Sequence, residues 1–412
     1  MDRVLSLRCI DCGFEHGIQE RSVTCRRCGG LLDVVYDYDA VVDEMERSGW
    51  ERRPLGVWRY EELLPVLRPE LKVTLGEGGT RLVRCRRLGE ELGLRDLYVK
   101  HEGGNPTGSF KDRGMTVGVT KALEFGAKTL ICASTGNTAA SLAAYSARAG
   151  LRCLVLLPKG KVALGKLAQA SIHGAVIIAV RGGFDEALDL VRRLAERPEY
   201  YLLNSINPYR LEGQKTAAYE VYEQLGGMPD WLIIPVGNAG NISAYWKGFR
   251  ELNLVGMSEG LPRMVGVQAE GASPIVEAFK RRTSEIEPFR RVETLATAIR
   301  IGRPVNWKRA LNAIYESRGL AEAVSDEEIL KAQRLLASKE GLFVEPASAT
   351  PIAYLVRAMG DGAIDRDETV VCVATGHGLK DPEAAIRQAP KPLEAGADLM
   401  EIERLLNRTW KR

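Results

Sequence analysis

Two C-x-x-C-G knuckles lie near the start of the chain, Cys9-Ile10-Asp11-Cys12-Gly13 and Cys25-Arg26-Arg27-Cys28-Gly29, with 12 residues between Cys12 and Cys25. Four thiolates at this spacing suit a tetrahedral metal, and the glycine after each second cysteine lets the backbone turn tightly around the sulfurs. With every ligand position filled by cysteine, the metal's role is structural; zinc is expected and iron is the alternative. Chance pairs or two local disulfides are the bland readings. His16, between the knuckles, is a spare ligand or, more plainly, a solvated loop residue.

A second chemical signal is Asn105-Pro106-Thr107-Gly108-Ser109-Phe110-Lys111-Asp112-Arg113. Pro, Gly and Ser break the chain, and Lys111 then stands at a helix start, where the macrodipole opposes a cation. That setting disfavours the ammonium form, and a neutral lysine is a nucleophile toward a carbonyl, forming a Schiff base. The bland alternative is a lysine that reaches water and pairs with Asp112. A third signal, Gly237-Asn238-Ala239-Gly240-Asn241, separates an apolar run from a helix start. Its glycines permit close backbone approach and the helix start aims N–H groups outward, which suits a phosphate. It matches neither the P-loop nor the dinucleotide fingerprint, and a tight strand–helix turn is an equal reading.

Elements must position these groups. From about residue 95, short apolar runs alternate with helical stretches. Strands are predicted over 97–100, 129–133, 153–158, 175–180, 201–203, 231–236, 264–269 and 369–374. Helices are predicted over 112–127, 138–149, 164–173, 184–196 and 211–225, with another from about 242. Apolar strands alternating with helices mark doubly wound parallel sheets, and the chain is too long for one. The expected organisation is a four-cysteine segment (1–37), a connector packed on the main body (38–95), a smaller α/β domain carrying Lys111 (96–205) and a larger α/β domain carrying the 237–241 loop (206–412). In such sheets ligands bind off the carboxyl ends of strands. Ser134-Thr135-Gly136-Asn137-Thr138, Asn204-Ser205, Gly237–Asn241 and Thr375-Gly376-His377-Gly378 all follow strands, and all are rich in glycine, hydroxyl or amide groups. They point to one shared crevice.

Composition sets outer bounds. Hydrophobic residues are 45% of the 412 and charged residues 27%, which excludes disorder and fibre. No apolar run approaches a membrane span, and a net charge of +3 from 57 basic and 54 acidic residues gives no reason to expect nucleic acid or a membrane surface as partner. Cys85, Cys132, Cys153 and Cys372 read as reduced core thiols of a cytoplasmic protein. His377 reads as a residue fixing the Thr375 loop, His101 as a structural bridge toward the lysine loop and His173 as a helix-end partner. Asp112 and Arg113 read as local ion-pair formers.

From Gly76 to Pro382 these motifs, in this order, resemble the threonine synthases of the fold-type II pyridoxal-phosphate enzymes, relatives of tryptophan synthase β. Within that group, Asn204-Ser205-Ile206-Asn207-Pro208-Tyr209-Arg210, Val162-Ala163-Leu164-Gly165-Lys166 and Ala374-Thr375-Gly376-His377-Gly378 point to threonine synthase. The resemblance implies two doubly wound α/β domains plus the zinc ribbon, and a homodimer. It implies a Schiff base between pyridoxal 5'-phosphate and Lys111, with Phe110, Asn137, Gly237, Asn238, Ala239, Gly240, Asn241, Ile242 and Thr375 around the cofactor. Ser134, Thr135, Thr138, Lys166, Asn204, Ser205, Arg210 and Asn238 would hold a small phosphorylated amino acid. The implied reaction converts O-phospho-L-homoserine and water to L-threonine and phosphate. An O-phosphoserine-dependent cysteate or cysteine synthase is the enzymatic alternative, and a non-catalytic zinc-ribbon protein on the same scaffold is the other.

Overall fold

A computed structural model describes residues 3–159 and 164–409 of the chain. Three sheets organise it. The first is antiparallel and three-stranded, ordered Glu15–His16, Val4–Cys9, Leu32–Tyr36. It carries the cysteine knuckles.

The second sheet has six strands, ordered Leu320–Val324, Arg263–Ala269, Trp231–Pro235, Thr369–Ala374, Asp96–His101, Leu82–Arg84. All its pairs are parallel except the last. The third has four parallel strands, ordered Val176–Val180, Arg152–Pro158, Thr129–Ala133, Tyr200–Leu202. Thr129–Ala133 and Trp231–Pro235 are buried at every position. Helices on both faces remove water from both sides, so these strands read as unbroken apolar runs.

Each parallel sheet reverses its winding once. In the four-stranded sheet the chain winds outward from Thr129–Ala133 and then returns to its other side as Tyr200–Leu202. In the six-stranded sheet it winds outward from Trp231–Pro235 and returns as Thr369–Ala374. A crevice opens at each reversal, beyond the carboxyl ends of the flanking strands. Those ends lead into the loops at 134–137, 203–205, 237–239 and 375–377.

One strand joins a different sheet from the one its place in the chain suggests. Asp96–His101, grouped above with the smaller unit by sequence position, pairs with Thr369–Ala374 in the six-stranded sheet. The connector supplies that sheet's edge strand, Leu82–Arg84. The helix that begins at Lys111 therefore hangs from the larger sheet.

A buried charge cluster fastens this helix, Lys111–Glu124, to the helix Pro208–Leu225. Arg113 bonds Glu102 at 2.6 and 2.7 Å and Glu220 at 2.7 Å, and Lys100 bonds Glu220 at 2.7 Å. Asp112 forms no ion pair among the described residues. Its carboxylate accepts from the Thr107 amide and hydroxyl and from Ser141, and so shapes the loop before Lys111. Arg113 pairs both with nearby Glu102 and with distant Glu220.

The cysteine-bearing sheet touches both larger units. Arg21 donates to the carbonyls of Pro198 and Tyr200 beside the four-stranded sheet. On the other side Tyr36 donates to Glu212, Lys247 pairs with Asp33, and Lys308 pairs with Asp11.

Candidate functional site

Lys111, Phe110, Ser134, Thr135, Asn137, Thr138, Asn204, Ser205, Arg210, Gly237, Asn238, Ala239, Gly240, Asn241 and Thr375 all line one cavity of about 420 Å³. Ile242 does not line it; its side chain is fully buried in the core beneath. Lys166 falls in the helix Leu164–Ile172, but its side chain, like Val162 and Ala163, lies outside the described residues.

Lys111 is the first residue of its helix, and no side chain caps that terminus. The loop before it is pinned to the six-stranded sheet, because Phe110 N–H donates to the Thr375 carbonyl at 3.0 Å and His377 N–H to that of Gly108 at 2.9 Å. The ammonium lies 3.8 Å from the centroid of the Phe110 ring. Burial, and then the nearby Arg210 cation, lower the Lys111 pKa to about 7, with Glu345 pulling weakly the other way. At neutral pH a large share of this amine is unprotonated.

Gly237–Asn241 forms a cradle. Ala239 takes φ 65°, a left-handed conformation that costs a non-glycine residue free energy. The helix Gly240–Leu254 follows without a side-chain cap, leaving its first N–H groups for an anion. Among the described residues the buried Asn241 amide nitrogen also has no hydrogen-bond partner. A Cβ at Gly237 would come within 3.1 Å of Ile299 Cα, so bulk there would crowd the wall.

Arg210 is 2% exposed, yet its Nε has no partner and Nη1 reaches only the Leu203 carbonyl at 3.3 Å. Among the described residues no carboxylate pairs with it. Burial lowers its pKa to about 10. A buried, unpaired guanidinium is costly unless an anion joins it. Asn204 behaves differently: its amide exchanges two hydrogen bonds of 2.9 Å with the Ala133 backbone, so it ties two loops together and has little left for a ligand.

Thr375 is held by the Ser348 hydroxyl at 2.9 Å, and Ser348 also accepts from Gly376 N–H at 2.8 Å. His377 Nδ1 accepts from Leu379 N–H at 3.1 Å, which fixes the loop in the quieter role expected of it. His101 lies 6.5 Å from His377, ring to ring.

Sequence reasoning missed Glu345 and Lys380, which also line the cavity. Glu345 accepts from Asn137 Nδ2 at 3.1 and 3.3 Å. Lys380 donates to the Thr107 carbonyl at 3.0 Å and to Gln169. A Glu-Pro pair at a helix start and a lysine in a turn carry no signal of burial.

The four cysteine sulfurs lie within 4.8 Å of one another. Their separations include 3.4 and 3.8 Å, near the roughly 3.8 Å of a tetrahedral zinc with 2.3 Å bonds. His16 is no solvated loop residue: it is buried, edge-on to Phe14 at 5.1 Å, and bonds Glu20 at 3.0 Å.

A family model described as pyridoxal-phosphate dependent enzyme matches residues 73–376, and the chain belongs to that family. Within it the chain falls among the threonine synthases. It is 59% identical to threonine synthase of Methanocaldococcus jannaschii over 400 residues, covering 97% of this chain and 98% of the relative. The threonine synthase of Methanosarcina acetivorans is 56% identical over 397 residues, covering 96% and 97%. Among solved structures, maize serine racemase superposes with TM-score 0.64 at 18% identity, over 81% of this chain and 92% of that one. Threonine deaminase isoform 2 from Solanum lycopersicum gives 0.64 at 21%, over 75% and 86%. These likenesses show the fold. No helix among the described residues is long and apolar enough to cross a membrane.

Proposed function

We propose that the chain converts O-phospho-L-homoserine and water to L-threonine and phosphate, using pyridoxal 5'-phosphate held in the cavity between the two parallel sheets. The observation that carries the reading is Lys111, an amine with a depressed pKa beside an uncapped cradle and an unpaired buried arginine. The cavity fits the cofactor: an amine for its aldehyde, free N–H groups for its phosphate, a hydroxyl for its ring nitrogen. When bound, the cofactor supplies an electron sink for carbanionic charge next to the substrate amine.

The chain's own residues orient bonds and move protons. Lys111 would hold the cofactor through Nζ, and the same amine, when free, is placed to take the Cα proton and a Cβ proton. The backbone of Gly237–Ile242 would hold the cofactor phosphate, with Ile242 offering only its N–H. Phe110 flanks the amine; Asn137 would donate to the ring's phenolic oxygen, and the Thr375 hydroxyl would hold the ring nitrogen. Ser134, Thr135 and Thr138 take the substrate carboxylate. Arg210, with Ser205, Asn238 and Lys166, receives the phosphate that leaves from Cγ; its planar fork suits that dianion, and its burial strengthens the contact. Asn204 positions the Ser205 loop. Water then adds at Cβ.

Cys9, Cys12, Cys25 and Cys28 hold a structural zinc under this reading, and the chain works as a cytoplasmic homodimer. The test is turnover. Equimolar phosphate and threonine from O-phosphohomoserine is the expected result, and turnover confined to O-phosphoserine with sulfite or sulfide would overturn it.

A further inference from the structure

Glu345 ends an extended residue at the start of the helix Pro346–Gly360 and is 4% exposed. Its N–H donates to the Gly376 carbonyl at 3.0 Å, which fixes it beside the Thr375 loop. Its carboxylate fills the space at Gly376, where a Cβ would sit 2.6 Å from Oε1. Facing that carboxylate are the Asn137 amide, Lys111, Lys380 and Asp381. Asn137 belongs to a helix of the four-stranded unit and Glu345 to the six-stranded one, so their hydrogen bond joins the two units within the cavity lining.

A carboxylate can only accept. Burial raises the Glu345 pKa, and the Asn137 amide with the Lys111 and Lys380 cations works against that rise; in its ionised form Glu345 requires Asn137 to turn its nitrogen, not its oxygen, toward residue 345. One N–H is then spent on Glu345, and the second remains a donor polarised by the negative charge. A protonated or amide side chain at 345 would accept either amide orientation.

We propose that Glu345 is a positioning residue: it fixes the flip state of the Asn137 amide, so that this amide presents a donor to the cofactor's phenolic oxygen. The proposal rests on the assignment of Asn137 given above. A merely structural Glu345 would make no such link, because its effect would then be independent of Asn137.

The experiment is a double-variant cycle on the holoenzyme with Glu345→Gln, Asn137→Ala and both together. It reads kcat, KM, the pH midpoint of the bound cofactor's visible absorbance, and the thermal midpoint. Glu345→Gln lowers kcat by about tenfold or more, the order expected for a lost hydrogen bond to a charged group, with KM within about twofold. It moves the absorbance midpoint in the same direction as Asn137→Ala, and adding it to Asn137→Ala changes neither quantity further. Glu345→Asp, which keeps the acceptor, recovers part of kcat and carries the same comparison if Glu345→Gln loses its fold. Additive effects in the double variant, or a parental midpoint and kcat in Glu345→Gln, overturn the proposal. The parent's own visible band, lost in Lys111→Ala, reports the Lys111 assignment separately; a parent without that band overturns both.

Discussion

Lys111 should cost the cofactor-free chain stability, and replacing it with methionine should return that stability while abolishing turnover. Burial holds the Lys111 pKa at about 7 against an ordinary value of 10.5. Between those values the unfolded chain binds more protons than the folded one, so stability rises with pH across that window. The penalty is complete below pH 7 and vanishes above 10.5. At pH 7 it amounts to about 4 kcal/mol, and solvent on the amine's exposed side screens this to roughly 2–4 kcal/mol. For 412 residues that corresponds to about 2–5 °C in thermal midpoint. The assay is the thermal midpoint of cofactor-free parent and Lys111→Met from pH 6 to 10.5. The variant's advantage should be largest at the acid end and shrink steadily above pH 7. A variant that is less stable, or whose advantage is constant between pH 7 and 10.5, would refute the reasoning.

Three further outcomes follow from the same geometry. Arg210→Ala should lower kcat/KM for the phosphorylated substrate by about 10- to 100-fold while raising cofactor-free stability, because a buried cation with no paired carboxylate among the described residues is removed; steady-state kinetics and a denaturant midpoint check the two opposed signs. Arg113→Met should destabilise by about 3–5 kcal/mol, since Glu102 would be left buried without a paired cation and Glu220 with Lys100 alone, and urea titration reads this directly. Elemental analysis should find one zinc per chain, lost in the Cys9→Ser, Cys12→Ser double variant along with part of the thermal stability; a metal-free parent with an intact ribbon would remove zinc from the structure.

Much of the site was legible because its loops interrupt unbroken apolar strands. Thr129–Ala133 and Trp231–Pro235 end abruptly in glycine, hydroxyl and amide residues, and those endings are where winding reverses. What chain order could not convey was pairing. Asp96–His101 is indifferent by composition to which sheet it joins, and its partner Thr369–Ala374 lies more than 260 residues away. Leu320–Val324, with two alanines and a glutamate, favours helix by propensity and is a strand only because it pairs with Arg263–Ala269. Glu345 and the charges of Pro208–Leu225 show a second limit. Charged residues on a helix read as solvent-facing, whereas Pro208–Leu225 is buried over most of its surface, with Glu212, Lys215 and Glu220 satisfied internally. Burial of a charge is a property of its partners, and those come from distant segments.

The most direct test of the central claim is chemical trapping. Borohydride reduction of the holoenzyme, followed by proteolysis and mass analysis, should place a single phosphopyridoxyl group on Lys111. A reduced adduct on any other lysine, or none at all in a chain that turns over substrate, would contradict the role assigned to that amine.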